Sequence, residues 1–215
     1  MDMSSFNISA TLSLFRLVTR PNLCLPQSTF ATFNDLPIPL NKAFEGKYKN
    51  VDIRAVVLDK DNCFARPHEN GVFEGYEKQF AHLKKTYPNR KLLIVSNTAG
   101  SSSDPTLSLS AAVVESTGVH VLPHSRKKPG CGGEIMEYFR KYPETGVTRP
   151  EHIVVIGDRL TTDVMLANTM GSYSCFLKDG VLGAQKLSFL AKLEQRFANL
   201  VLRRGYVAPD PSGPF

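Results

Sequence analysis

Five short apolar runs, each separated from the next by room for one helix, constrain this chain more than any other feature. They are IRAVVLD (53–59), KLLIVSN (91–97), VHVL (119–122), HIVVIGD (152–158) and YSCFLK (173–178). Runs that are apolar at nearly every position, rather than at alternate ones, suit strands covered on both faces, as in a parallel sheet. The stretches at 75–87, 107–117, 131–142 and 161–170 read as helices between them, with a further helix at 184–204. Strand alternating with helix predicts an α/β fold: one open parallel sheet, helices on both faces. Ligands of such sheets bind beyond the carboxyl ends of the strands. The residues that leave each run are therefore the ones to read for function.

The first run ends in LDKDNC, with Asp59 and Asp61 two residues apart, and the second in VSNT, with Ser96 and Asn97. Ahead of the fourth run comes SRKKPG, with Arg126, Lys127 and Lys128 before Pro129, and that run ends in GDRLTTD, with Asp158 and Asp163. An acid closing an apolar strand is common, and surface lysines are commoner. The order of all four is not. The chain resembles the haloacid dehalogenase (HAD) phosphatase superfamily, whose signature is Asp-x-Asp, then Ser or Thr, then Lys, then Gly-Asp-x-x-x-x-Asp at these places. The resemblance spans about residues 51–180. VLDKDNC, HSRKKPGCGG and GDRLTTDVMLAN are more particularly similar to the mitochondrial phosphatidylglycerophosphate phosphatases. Cys63 departs from the superfamily's usual Thr or Val, a change of little volume.

Carboxylates on neighbouring strand ends suit a hard cation such as Mg²⁺, which a carboxylate nucleophile needs when it approaches a phosphate dianion. The resemblance implies that Asp59 attacks phosphorus and forms an aspartyl-phosphate, and that Asp61 serves as acid and then base. It implies further that Ser96 binds a phosphoryl oxygen and Lys128 neutralises developing charge. Mg²⁺ would be held by Asp59, Asp158, the carbonyl of Asp61 and, directly or through a neighbour, Asp163. The superfamily lysine stands next to the proline, which selects Lys128 over Lys127. Asn97, Arg126 and Lys127 are candidate substrate-binding residues; for the two basic ones a solvated loop is an equal reading.

From Asp61 to Asn97 is 36 positions and from Asn97 to Lys128 is 31. Neither interval holds a cap domain, so a short flap is expected and the substrate should be large or embedded in a membrane. The implied reaction is Mg²⁺-dependent hydrolysis of phosphatidylglycerophosphate to phosphatidylglycerol, the step feeding cardiolipin synthesis. The implied location is the matrix side of the mitochondrial inner membrane, peripherally bound. A capless phosphatase for phosphoproteins or nucleic-acid ends is the alternative. A scaffold that kept the fold without catalysis ranks below both, because it would have no use for four acids in this pattern.

Charge and composition narrow the partners. The chain carries 26 basic and 20 acidic residues, a net +6, which favours an anionic partner. The resemblance makes that an anionic phospholipid rather than nucleic acid. No run of 18 apolar residues occurs, so no transmembrane helix is expected. Cys24, Cys63, Cys131 and Cys175 have no metal-site spacing and read as reduced, buried thiols. Around the core (51–180), residues 1–50 divide into an amphipathic segment to residue 34 and an extended connector at 35–50. Leu12, Phe15, Leu17, Arg16 and Arg20 suit a transit peptide, an interfacial helix or ordinary packing. In the C-terminal segment (181–215), Leu190, Leu193, Phe197, Leu200 and Val201 form a stripe flanked by Lys192, Arg196 and Arg203. Packing on the sheet, a second copy of the chain or an anionic bilayer would each cover it.

Overall fold

The computed structural model describes residues 19–183 and 188–212. Its strands are β1 (Ser28–Phe30), β2 (Ala55–Leu58), β3 (Leu92–Ile94), β4 (His120–Val121), β5 (Ile153–Gly157) and β6 (Tyr173–Leu177). They form one parallel sheet in the order β1-β6-β5-β2-β3-β4. Every residue of β2, β3, β5 and β6 is buried, as continuous apolar runs require. Within β2 the two-residue period divides the core: Val56 and Leu58 pack with Phe64, Phe80 and Leu83, while Ala55 and Val57 face Ile135, Phe139 and Met170.

The helices are α1 (Glu77–Thr86), α2 (Ser108–Thr117), α3 (Gly132–Lys141), α4 (Met165–Met170) and α5 (Phe189–Arg203). The first three lie within two residues of their predicted spans. The fourth begins as a π-helical turn, Leu160–Val164, ahead of α4. Only α1 and a short 3₁₀ turn stand between β2 and β3, so no cap domain is inserted there.

Two expectations change. Residues 35–50 are not an extended connector. The 3₁₀ turns Phe33–Asp35 and Leu40–Phe44 place Phe33, Leu36, Leu40 and Phe44 in the main core. Short turns punctuated by Pro37 and Pro39 give apolar residues no regular period, which is why their burial is unreadable locally. A sixth strand, β1, was also not expected from STF. It pairs with β6 at Ser28–Cys175, and just ahead of it buried Gln27 accepts the Ser174 N–H at 2.9 Å. That partner is 147 positions away. The expected helix around Leu12–Leu17 lies outside the described residues. Of that segment, Arg20 is exposed and Pro21 opens the 3₁₀ turn Pro21–Cys24. All four cysteines are buried and free.

Candidate active site

From β2 the chain runs outward through β3 to β4, then returns to place β5 on the other side of β2. A crevice opens where the strand order reverses, beyond the carboxyl ends of β2 and β5. Asp59 follows β2 there and Asp158 follows β5. The backbone N–H of Asp59 donates to the Ile156 carbonyl at 2.9 Å, which holds the two ends level. Asp163 comes from the π-helical turn that follows, a local irregularity typical of functional positions. It leans back over Gly157, where a Cβ would lie 2.3 Å from its carboxyl group.

Asp59, Asp158 and Asp163 are all buried, and each offers a carboxylate oxygen within 4.8 Å of the others. Lys128 supplies the one ammonium among them, 2.5 Å from Asp59 Oδ1 and 2.6 Å from Asp163 Oδ1. Its backbone N–H donates to Asn97 Oδ1 at 2.7 Å, fixing the loop that delivers it. Asn62 Nδ2 donates to Asp158 Oδ2 at 2.7 Å.

Three carboxylates around one cation leave excess negative charge in a dry site. Burial, partly offset by Lys128, pushes Asp59 up to about 7. Burial together with Asp59 and Asp163 pushes Asp158 up to about 8. For Lys128 burial works against the charge, but Asp163 and Asp59 outweigh it and hold its pKa above the ordinary lysine value. A divalent cation would relieve this repulsion. The donors are all oxygen, and no His or Cys stands in the cluster, so the set fits Mg²⁺ rather than a softer metal.

Asp61 occupies a different environment. Its Oδ1 accepts from Lys60 Nζ at 2.5 Å and the His68 N–H at 3.0 Å, and its Oδ2 from Thr98 Oγ1 at 3.0 Å. Burial would raise its pKa, but the hydrogen bond and charge of Lys60 prevail, and it sits below the ordinary carboxylate value. Its carboxylate stands outside the metal-sized cluster, so any ligand role rests on its carbonyl. Ser96 is fully buried beneath Thr98, with its Oγ 2.8 Å from Thr98 Oγ1. Because Thr98 donates to Asp61, Ser96 donates to Thr98, forming a hydroxyl relay that ends on Asp61.

Asp59, Asp61, Asn97, Lys128 and Asp158 line one cavity of about 290 Å³. Arg126 and Lys127 do not. Arg126 lines a separate depression with Glu134, Glu137 and Arg140, and Lys127 Nζ donates to Ser103 Oγ at 2.8 Å. Of the two lysines, Lys128 is the one whose ammonium meets the acids of the site.

Sequence reasoning missed Lys60, Thr98 and the Arg159–Glu194 pair. Lys60 is only 3% exposed. Its one sequence signal is its place directly behind a buried strand. Arg159 lines the cavity wall, and Glu194 of α5 binds it at 2.5 Å while accepting from the Leu160 N–H and Thr161 Oγ1. Asn62 also accepts the Leu182 N–H at 2.9 Å. It thereby joins Asp158 to the loop after β6.

The family model described as mitochondrial PGP phosphatase matches residues 8–182. The chain is 45% identical over 196 residues to the mitochondrial phosphatidylglycerophosphatase GEP4 of Saccharomyces cerevisiae, covering 91% of this chain and 98% of that protein. It is 36% identical over 177 residues to a probable mitochondrial phosphatidylglycerophosphatase of Schizosaccharomyces pombe, covering 81% and 84%. It is 31% identical over 125 residues to the chloroplastic phosphatidylglycerophosphate phosphatase 1 of Chlamydomonas reinhardtii, covering 57% and 44%. No solved structure matches.

Proposed function

This chain belongs to the mitochondrial PGP phosphatase family and is a hydrolase of the phosphatase class; from that premise we propose that it removes the terminal phosphate of phosphatidylglycerophosphate, with Mg²⁺, through an aspartyl-phosphate. The observation that carries the reading is the buried Asp59–Asp158–Asp163 cluster, with Lys128 between two of its members at the floor of an open cavity.

Mg²⁺ held by Asp59, Asp158, Asp163 and the Asp61 carbonyl would screen the phosphate charge that otherwise repels an attacking carboxylate. Asp59 offers its free oxygen in line to phosphorus; the new O–P bond forms as the bond to the glycerol oxygen breaks. Asp61 gives that oxygen its proton. It then takes a proton from water, whose oxygen attacks phosphorus and frees the Asp59 carboxylate and inorganic phosphate. In the unliganded site Lys60 keeps Asp61 ionised, the form needed for the second step. An arriving phosphomonoester places negative charge beside Asp61 and raises its pKa, the sense needed for the first. Lys128 holds Asp59 in place and balances the charge spread over the transferring group.

The cavity is small beside the roughly 300–1,000 Å³ of pockets that enclose drug-sized ligands. It suits a phosphoglycerol headgroup reached from outside rather than a whole lipid. The names of the relatives support a mitochondrial location, and no helix among the described residues is long and apolar enough to cross a membrane; peripheral action at the matrix face of the inner membrane is part of this proposal.

The test is phosphate release from phosphatidylglycerophosphate in vesicles, compared with a phosphopeptide and a 5′-phosphorylated oligonucleotide. Turnover of the lipid with Mg²⁺, silenced by chelation and absent in Asp59→Asn, is expected. Preference for either other substrate, or activity surviving complete chelation, would overturn the reading.

A further inference from the structure

The helix α5 is fastened to the site by one face, and its other face is exposed among the described residues. Ala191, Glu194, Ala198 and Val201 are buried, and Glu194 is the contact that clamps Arg159 and the turn leading to Asp163. Ser188 and Ala191, at its first turn, line the catalytic cavity. On the opposite side Phe189, Leu193, Arg196, Leu200 and Arg203 follow one another at steps of four, three, four and three. They form a single outward stripe.

Phe189, the first residue of the helix, is 81% exposed, and Leu193 and Leu200 are about half exposed. Lys192, Arg196 and Arg203 are exposed along the same helix, and Arg204 just past its end. Glu194, the helix's only acid, is buried and already paired. The outer face is thus apolar and basic, with no acid of its own.

That charge pattern chooses the occupant. A symmetric contact with a second copy would set one basic stripe against another, with no carboxylate from either helix to pair it. An anionic lipid surface pairs the cations with headgroup phosphates and takes the apolar stripe into the acyl boundary. We propose that the outer face of α5 docks this protein on an anionic bilayer and sets the mouth of the catalytic cavity against the headgroups. Phe189 enters beside the mouth, and the Arg159–Glu194 clamp fixes the angle between helix and site. This inference rests on the lipid-phosphatase reading and deepens it: the substrate arrives by lateral movement in the membrane, beneath a site already seated on it.

The full-length protein is tested by co-sedimentation with phosphatidylcholine vesicles, with and without phosphatidylserine, which is neither substrate nor product. Phe189→Ser with Leu193→Ser removes apolar stripe residues that do not line the cavity; Arg196→Glu with Arg203→Glu reverses the charge. Binding of the wild type to phosphatidylserine vesicles, weakened by salt, is expected. The apolar double variant should bind more weakly by on the order of tenfold or more, and each cation lost should cost about fivefold. Hydrolysis of a soluble aryl phosphate and the mass in solution should stay unchanged in both.

Unchanged vesicle binding in both double variants would overturn the proposal. So would a wild-type dimer that falls to monomers in them, which would assign the face to self-association. A protein that binds vesicles through these residues yet releases no phosphate from phosphatidylglycerophosphate would support the docking surface and refute the substrate assignment. Full lipid turnover by variants that no longer bind would do the reverse.

Discussion

Gly157→Ala probes how closely Asp163 must approach β5. Gly157 does not use the left-handed conformation open mainly to glycine, so the backbone accepts alanine. In a strand without obstruction, alanine would stabilise by roughly 0.5–1 kcal/mol by restricting the unfolded chain. Here the new Cβ would meet Asp163 Cγ and Oδ2 at 2.3 Å and its Cβ at 2.6 Å, against an ordinary contact of 3.4 Å or more. Asp163 must therefore withdraw by about 1 Å, and it cannot do so while staying 2.6 Å from Lys128. Overpacking of this kind costs about 1–3 kcal/mol. That corresponds to a fall of roughly 2–12 °C in Tm for a chain of this size. Displacing a site group by 1 Å costs on the order of a hundredfold in rate. Thermal melts followed by circular dichroism, with soluble aryl phosphate turnover at saturating Mg²⁺, measure both. A variant with a raised Tm and near wild-type kcat would refute the argument, because alanine would then have found space where none is drawn.

The two adjacent lysines should behave as opposites. Lys128→Met should lower kcat by several orders of magnitude on any phosphomonoester, whereas Lys127→Met should stay within about threefold; equal losses would mean that the loop, rather than the ammonium, is what matters. In chelator, stability should fall as pH rises from about 4 to 8. Asp59 and Asp158 keep protons in the folded state, at about 7 and about 8, that the unfolded chain has already released. Mg²⁺ should therefore raise Tm more at pH 8 than at pH 5.5, and Asp158→Asn should flatten the pH slope; a flat melt profile in chelator would contradict the charge argument.

What could be read from the sequence follows from where each signal is stored. Strands β2, β3, β5 and β6 are written locally, because a strand covered on both faces must be apolar throughout. The acids at their ends are legible for a related reason: a polar residue placed where an apolar run stops lies at the lip of the sheet. Lys128 was separable from Lys127 by its neighbour Pro129. The rest depends on partners far along the chain. Strand β1 exists because Gln27 meets Ser174, and Phe33, Leu40 and Phe44 are core because α1 and β6 leave a space for them. Lys60 and Glu194 look like ordinary surface charges. Each is buried because its partner, Asp61 or Arg159, stands at the site's edge, and no local pattern records that. For Arg126 and Lys127 a solvated loop and a substrate patch are equal readings of the sequence; neither side chain lines the cavity, and orientation is something composition does not carry.

Asp59 and Asp61 leave the same strand two residues apart, yet the fold pushes their proton affinities in opposite directions, a divergence that suits the roles proposed for them. Asp59 is surrounded by other acids and dry protein, and burial raises its proton affinity even with Lys128 beside it. A protonated carboxyl is a poor nucleophile. On the proposed mechanism the cation is thus needed twice over: to screen the phosphate and to keep Asp59 ionised. Asp61, outside the acidic cluster and paired with Lys60, is ionised without help. Metal requirement and pH dependence then have one electrostatic origin, the excess of carboxylate over ammonium around Lys128. Limiting Mg²⁺ should therefore both slow the enzyme and move the acid limb of its activity toward higher pH.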